Sequence, residues 1–169
     1  MNPPVVSIVA KSGTGKTTLL EKLIAEMKQR GFRVAAIKHD AHRFNIDHEG
    51  KDSWRLTAAG ADTMLVTSPE KLAMVKQYAK EYEPSLAESV ATYCSDVDIV
   101  LTEGFKKSTM PKIEVHRRER SEKLLCRDEE HDSKLIAVAS DSPLEIDVPL
   151  YDINDAQGIC DLIVEKFLL

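Results

Sequence analysis

Residues 10–18, Ala-Lys-Ser-Gly-Thr-Gly-Lys-Thr-Thr, have the residue types and the spacing of a loop that binds phosphate. They fit the pattern of a glycine, four residues and Gly-Lys-Ser/Thr, except that Ala10 stands at the first glycine. Glycines in such a loop let the backbone approach an anion closely, and the N–H groups of the loop and of the following helix point at it. The residues predicted to bind phosphate or nucleotide here are Gly13, Thr14, Gly15, Lys16, Thr17 and Thr18.

The side chains of this phosphate loop (residues 10–18) have separate expected roles. Lys16 can reach the β- and γ-phosphates of a nucleotide, and the Thr17 hydroxyl can ligate Mg²⁺. The alternative is a glycine-rich turn that caps a helix and binds nothing. An apolar run at 5–9 precedes the loop and an amphipathic stretch follows it, which is the strand–loop–helix order that phosphate binding requires.

Two carboxylates follow apolar runs and are candidates for the magnesium side of the site. Glu103 comes directly after the run 98–102, where a protein with this loop places its second metal-organising acid, usually an aspartate. The alternative for Glu103 is an exposed carboxylate in a turn. Asp40 follows the run 33–38 and could hold Mg²⁺ through water or position an attacking water. Lys16, Asp40 and Glu103 are therefore the predicted catalytic residues, and Thr17, Asp40 and Glu103 the predicted metal ligands.

Histidines near Asp40 suggest a different metal. His39, His42 and His48 lie close to it in the sequence and could form a zinc or nickel cluster. No helical pair at i and i+4 and no cysteine partner fixes the geometry of such a cluster, so a loop beside the phosphates is the favoured interpretation.

Asp141 is the candidate for base recognition. It ends the apolar run 137–141, Ala-Val-Ala-Ser-Asp, and a carboxylate there could accept two hydrogen bonds from the N1 and N2 edge of guanine. Adenine lacks that donor pair. The alternative, equally favoured, is an Asx turn before Pro143.

A charged segment at 117–134 contains Arg117, Arg118, Arg120 and Arg127 among many acidic residues. These arginines could bind a second phosphorylated ligand or close over a nucleotide, but a solvated loop with surface ion pairs is favoured. No arginine has an obvious position near the phosphate loop within the same chain. Efficient hydrolysis of a bound nucleoside triphosphate often needs an arginine finger. We therefore expect full hydrolytic activity to depend on dimer formation or on a partner.

Strands alternate with helices along the chain, which predicts an α/β fold with a mostly parallel sheet flanked by helices, as in P-loop NTPases. We expect a single nucleotide-binding domain over residues 1–169. The loops at 10–17, 38–42, 103–106 and 139–142 follow strand ends and should meet at one edge of the sheet. The predicted strands are 5–9, 33–38, 63–67, 72–75, 98–102, 112–115, 135–139 and 148–151, and the predicted helices are 17–30, 52–59, 85–93 and one from about 155.

The composition excludes several classes of protein. The 169 residues carry a net charge of −5, which argues against a nucleic-acid partner bound through a basic face. No apolar run is long enough to span a membrane, and the N-terminus lacks the features of a secretory signal. Three cysteines without Cys-x-x-Cys spacing are typical of a cytoplasmic protein with reduced, buried thiols.

Several motifs, taken in order, resemble those of the molybdopterin-guanine dinucleotide biosynthesis protein B family. They are Ser-Gly-Thr-Gly-Lys-Thr-Thr-Leu-Leu at 12–20, Ile-Lys-His at 37–39, Gly-Lys-Asp-Ser at 50–53, Ala-Gly-Ala at 59–61, Glu-Gly-Phe-Lys at 103–106, Ala-Val-Ala-Ser-Asp at 137–141 and Asp-Ile-Asn-Asp at 152–155. The resemblance covers nearly the whole chain, although the segment 117–134 matches least.

This resemblance implies a GTP-binding protein with weak, Mg²⁺-dependent GTPase activity, an accessory role and a homodimeric state. It implies work beside the guanylyltransferase that joins GMP to a molybdopterin species, late in molybdenum cofactor maturation. Residues 13–18 would then bind phosphates, Asp40 and Glu103 would serve Mg²⁺ and water, and Asp141 would lie near guanine.

Two other functions remain alternatives at the level of sequence. A small-molecule kinase would use the same phosphate loop, with the arginines of 117–127 as a lid over the transferred phosphoryl group. A metallochaperone GTPase would use His39, His42 and His48 to deliver nickel or zinc.

Overall fold

The computed structural model describes residues 2–39, 44–128 and 131–169. The chain divides into two compact units. One, here called the sheet unit, comprises Met1–His39 and Leu86–Leu169, and the other, the hairpin unit, comprises Asp40–Ser85.

Across the described residues, eight strands and four helices form the regular structure. The strands are β1 (Val5–Val9), β2 (Val34–Lys38), β3 (Thr63–Thr67), β4 (Leu72–Lys76), β5 (Ile99–Glu103), β6 (Lys112–His116), β7 (Leu135–Ser140) and β8 (Leu150–Asp152). The helices are α1 (Lys16–Gln29), α2 (Asp52–Ala58), α3 (Leu86–Tyr93) and α4 (Ala156–Phe167). Every strand and helix predicted from the sequence is present, with bounds that shift by one or two residues.

The sheet unit is built on six strands in the order β2-β5-β1-β6-β7-β8. All neighbouring pairs are parallel. The carboxyl ends of the strands therefore meet at one edge, where ligands of open α/β sheets bind. The predicted α/β fold class, a mostly parallel sheet flanked by helices, is confirmed.

The central strand β1 is buried on both faces, which explains its uninterrupted apolar sequence. Val6 and Ile8 face the main core, which also holds residues of α1 and α4. Val5, on the other face, packs in a cluster with residues of α3. The single polar residue of β1, Ser7, is fully buried and accepts a 2.9 Å hydrogen bond from the Thr102 hydroxyl of β5, so its polar atom is satisfied.

The hairpin unit contains α2 and the antiparallel pair β3–β4. The turn between the strands is held by the Ser68 hydroxyl, which accepts from the backbone N–H groups of Glu70 and Lys71. The two predicted strands are thus correct, and they form a sheet of their own. The prediction of one nucleotide-binding domain over residues 1–169 stays a prediction.

In the part of the chain that the structure describes, no helix has the length and apolar character needed to cross a bilayer.

Candidate nucleotide-binding site

The phosphate loop joins β1 to α1 with left-handed backbone at two glycines. Gly13 has φ +75° and Gly15 has φ +98°, a region that residues with a Cβ rarely adopt. Thr14, buried between them, donates its hydroxyl hydrogen to the Lys11 carbonyl at 2.7 Å. Gly15 is the N-cap of α1, and no side chain caps the helix there. The first N–H groups of α1 are therefore available to an anion.

Lys16 folds back over its own loop. Its Nζ donates to the carbonyls of Lys11 at 3.2 Å and Ala10 at 3.5 Å. Burial lowers the pKa of this ammonium, while the nearby Glu103 carboxylate acts in the opposite direction. Lys16 thus lies in a partly desolvated position inside the phosphate loop, where a cation attracts phosphate more strongly than in water.

Thr17 and Glu103 meet across the sheet edge, although 86 positions separate them. The Thr17 hydroxyl donates to Glu103 Oε2 at 2.8 Å. The other carboxylate oxygen, Oε1, lies 3.5 Å from the ammonium of Lys38 at the end of β2. A hydroxyl and a carboxylate oxygen side by side at the phosphate loop are the ligand types that Mg²⁺ prefers. The donor set therefore fits a magnesium ion.

Two of the residues named as candidate metal ligands are not described by the structure. Asp40 and His42 lie outside the described residues, so their predicted roles stay predictions. Within residues 2–39, 44–128 and 131–169, no group of three or more His, Cys, Asp or Glu side chains is arranged to hold a metal ion.

Two arginines of the charged segment lie against the phosphate loop. Arg117 Nε donates to the Thr14 carbonyl at 3.0 Å. The guanidinium of Arg120 lies 3.7 Å from the position that a Cβ on Gly13 would occupy. The expectation that no arginine of this chain lies near the phosphate loop is therefore wrong. Because these residues are more than 100 positions from the loop, local pattern gave no sign of the contact.

The polar residues of β6 explain how the charged segment is held. Lys112, Glu114 and His116 alternate along the strand and are all at most 3% exposed. Lys112 forms an ion pair with Asp132 at 2.8 Å. Glu114 accepts from the N–H groups of Leu125 at 2.6 Å and Cys126 at 2.9 Å.

His116, the third of these residues, acts on the segment at its start. The Nε2 of His116 donates to the Ser121 carbonyl at 2.9 Å. The interpretation of 117–134 as a solvated loop is thus wrong at Cys126, which is buried, whereas the surface ion pair between Lys123 and Asp128 agrees with it. The signal in the sequence was the polar–apolar alternation Lys-Ile-Glu-Val-His at 112–116, in a sheet whose other central strands are apolar.

Asp141 lies just beyond the end of β7, beside Arg117. Its Oδ2 is 3.8 Å from Arg117 Nη1, and its Oδ1 accepts from the backbone N–H of Arg118 at 3.1 Å. The turn before Pro143 is held instead by the Ser140 hydroxyl, which accepts from Ser142 N–H at 3.1 Å. The observed hydrogen bond of Asp141 therefore joins the end of β7 to the residues that follow β6.

A cleft of about 290 Å³ opens next to Asp141, at the ends of β7 and β8. Tyr151 and Asp152 of β8 form part of its wall, together with the turn at 140–143. Asp141, the candidate for base recognition, thus forms part of the wall of this cleft. Arg117 contacts both Asp141 and the Thr14 carbonyl, so it connects the cleft to the phosphate loop.

A match to a known family identifies the kind of protein in which this phosphate loop, Glu103 and Asp141 occur. The family model described as "Molybdopterin guanine dinucleotide synthesis protein B", MobB, matches residues 5–141. The chain belongs to the MobB family. The matched range includes the phosphate loop, Glu103, the charged segment and Asp141, which confirms the resemblance drawn from the sequence motifs.

Curated relatives agree with this membership in the MobB family. The molybdopterin-guanine dinucleotide biosynthesis adapter protein of Escherichia coli is 42% identical over 168 residues, which cover 96% of this chain and 92% of the relative. The adapter protein of the same name from Haemophilus influenzae is 42% identical over 164 residues, covering 95% of this chain and 87% of the relative.

Solved MobB structures share the fold. A crystal structure of molybdopterin-guanine biosynthesis protein B superposes with a TM-score of 0.76 at 30% identity, covering 98% of this chain and 99% of the other. The crystal structure of Bacillus subtilis MobB gives a TM-score of 0.74 at 24% identity, covering 97% and 98%, and supports the fold alone.

Proposed function

We propose that this MobB protein binds GTP with Mg²⁺ and acts as an adapter in molybdenum cofactor biosynthesis. In this role it assists the guanylyltransferase that forms molybdopterin guanine dinucleotide, rather than transferring GMP itself. Its own hydrolysis of GTP is weak. The adapter role is supported by family membership and by the names of the two relatives that are 42% identical.

The observation that carries nucleotide binding is the 2.8 Å contact between Thr17 and Glu103 at the phosphate loop. A glycine-rich turn that only capped a helix would need neither Lys16 nor an acid from another strand. Lys16 and the N–H groups of 13–18 hold the phosphates in this proposal. Thr17, Glu103 and Asp40 serve Mg²⁺, which would offset the negative charge of the phosphates when bound.

Guanine is the proposed base because of Asp141. Its carboxylate can accept from the N1–H and N2–H groups of guanine, and the adjoining cleft of about 290 Å³ offers space beside it. Adenine presents no such donor pair, so a site built on this carboxylate discriminates against ATP.

The proposed partners follow from the family. They are the guanylyltransferase, a molybdopterin species and a second copy of this chain in a homodimer; nucleic acid and membrane are not among them. The proposed location is the cytoplasm, which agrees with three free, buried cysteines.

The kinase alternative uses the arginines of 117–127 as a lid over the transferred phosphoryl group, and Arg117 and Arg120 lie against the phosphate loop. The same placement serves a protein that binds GTP without transferring its phosphate. Family membership favours the adapter over both the kinase and the metallochaperone.

Calorimetric titration with GTP, GDP and ATP, each with Mg²⁺, tests the nucleotide assignment. We expect guanine nucleotides to bind more tightly than ATP. Lys16→Ala should abolish binding, because it removes the cation inside the phosphate loop. Lys28→Ala, an exposed change in the last turn of α1, is the matched control and should bind as the wild type does.

A preference for ATP in this titration would overturn the guanine assignment. Wild-type affinity in Lys16→Ala would overturn the placement of the nucleotide at the phosphate loop. The adapter role is tested separately, by adding the protein to a guanylyltransferase reaction and measuring the dinucleotide formed. An unchanged yield at every protein concentration would contradict it.

A further inference from the structure

We propose that Arg120 contacts the terminal phosphate of the bound nucleotide from within the same chain, and that Arg117 is the positioning residue that holds it there. The inference rests on the proposed nucleotide function and deepens it. It assigns a role to the turn at residues 117–121, here called the arginine turn, which follows β6 directly.

The arginine turn is fixed to the phosphate loop at both of its ends. At the first end, Arg117 Nε donates to the Thr14 carbonyl at 3.0 Å. At the other end, the Ser121 hydroxyl accepts from the ammonium of Lys11 at 2.5 Å. Two separate hydrogen bonds to one loop set the distance and the orientation of the turn relative to that loop.

The interior of the arginine turn is also determined. The N–H groups of Arg120 and Ser121 both donate to the Arg117 carbonyl, at 3.0 and 3.2 Å. The buried His116 donates from Nε2 to the Ser121 carbonyl at 2.9 Å. These bonds connect the turn to the core of the sheet, so the position of Arg120 follows from the fold.

Arg120 and Arg117 differ in what their guanidinium groups already bind. Arg117 has the Thr14 carbonyl at 3.0 Å and the Asp141 carboxylate at 3.8 Å. Arg120 is 54% exposed, and its Nε lies 3.5 Å from its neighbour Glu119. Within the part of the chain that the structure describes, neither terminal nitrogen of the Arg120 guanidinium donates a hydrogen bond.

Arg120 is therefore a half-exposed cation beside the phosphate loop. Its guanidinium carbon lies 3.7 Å from the Cβ position of Gly13. A guanidinium in such a place can donate two parallel hydrogen bonds to phosphate oxygens. Lys16 lies within the loop itself, whereas Arg120 approaches from outside it, so the two cations can act on different oxygens.

The test compares ligands that differ by one phosphate. We expect Arg120→Ala to weaken a non-hydrolysable GTP analogue by about tenfold to a hundredfold, as for a lost charge-assisted hydrogen bond, and to leave GDP affinity nearly unchanged. Arg118→Ala is the matched control, because that exposed arginine is adjacent and contacts Asp141 only through its backbone N–H. It should bind both ligands as the wild type does.

Arg117 is tested through the ratio of the two affinities. If it acts by positioning Arg120, Arg117→Ala lowers the ratio of triphosphate to diphosphate affinity as much as Arg120→Ala does, and the double variant lowers it no further. Independent, additive losses would overturn the positioning role. An unchanged ratio in Arg120→Ala would overturn the phosphate contact.

Tripolyphosphate and pyrophosphate also differ by one phosphate, and neither has a base. If the wild type shows no guanine preference, the proposed function fails in that respect, and the inference is judged on these two ions. A wild type that prefers tripolyphosphate, with the preference lost in Arg120→Ala, supports it. Equal binding of both ions by the wild type overturns it.

Discussion

At the scale of single residues, Glu103 shows how a candidate site is completed by one side chain. Thr17 is predicted from the phosphate loop alone, since hydroxyl-bearing residues follow the lysine of that pattern. Its partner comes from a strand end far along the chain, at 2.8 Å. Glutamate in place of the usual aspartate reaches one carbon further, and here it also meets Lys38 at 3.5 Å.

Glu103→Gln should therefore remove much of the magnesium dependence of nucleotide binding. The amide keeps the size of the side chain but lacks the negative charge that attracts the cation. We expect the Mg²⁺-dependent gain in GTP affinity to fall by at least about 10–100-fold, the loss that is typical even for residues that only orient metal ligands. The measurement is calorimetric titration with Mg²⁺ and with EDTA.

Glu21→Gln, an exposed change on α1, is the control for the loss of one carboxylate. It should keep the full magnesium effect. A Glu103→Gln protein whose GTP affinity still responds to Mg²⁺ as the wild type does would contradict the metal assignment.

At the scale of elements, β6 has two roles at once. Ile113 and Val115 pack in the main core, while Lys112, Glu114 and His116 hold the charged segment. A buried carboxylate is costly unless its oxygens are satisfied, and Glu114 meets this requirement with two backbone N–H groups. The strand thus positions a segment that has no helix of its own in its described part.

Glu114→Gln should loosen the part of the segment near Cys126. An amide places an N–H₂ group against one of two backbone donors, so one hydrogen bond to a charged group, of about 1.5–3 kcal/mol, is lost. In the wild type, burial first and Glu114 second raise the pKa of the Cys126 thiol to about 12. Its thiolate is therefore scarce at pH 8, and Cys126 should resist alkylation.

We expect Glu114→Gln to increase the rate of Cys126 alkylation by iodoacetamide at pH 8, measured by mass spectrometry. Cys94 and Cys160 are buried elsewhere and serve as internal references whose rates stay low. Glu122→Gln, an exposed change in the same segment, should leave all three thiols protected. Equal protection of Cys126 in Glu114→Gln would show that the hydrogen bonds of Glu114 do not hold the part of the segment near Cys126.

At the scale of the whole molecule, the described residues of the proposed nucleotide site all belong to the sheet unit. The phosphate loop, Glu103, the arginine turn and Asp141 lie in Met1–His39 and Leu86–Leu169. A nucleotide bound at these residues therefore stabilises the sheet unit by mass action.

Saturating GTP with Mg²⁺ should raise the melting temperature of the protein. At a ligand concentration of one hundred times Kd, the stabilisation is about 2.7 kcal/mol, which corresponds to about 5–11 °C for a chain of this size. The measurement is the circular dichroism signal of the helices during heating. Lys16→Ala should show no shift, and a shift in that variant equal to the wild type would place the ligand elsewhere.

The sequence by itself determined the elements and the phosphate loop. Alternating apolar runs and amphipathic stretches are local properties, so they predicted the strands and helices, including both strands of the hairpin. The loop pattern was equally local, because its glycines, lysine and threonine are adjacent in the chain. The resemblance to the MobB family followed from the order of such short motifs.

The sequence also predicted that the loops at the strand ends meet at one edge of the sheet, and only the tertiary structure decided the strand order and the contacts made there. The parallel register of β1 beside β5 brings Glu103 to Thr17, and the order of strands places β6 next to β1. That placement puts Arg117 and Arg120 against a loop that is about one hundred residues away in the chain. Contacts of this kind depend on strand order, which no local periodicity encodes, and on buried polar partners such as Glu114 and His116.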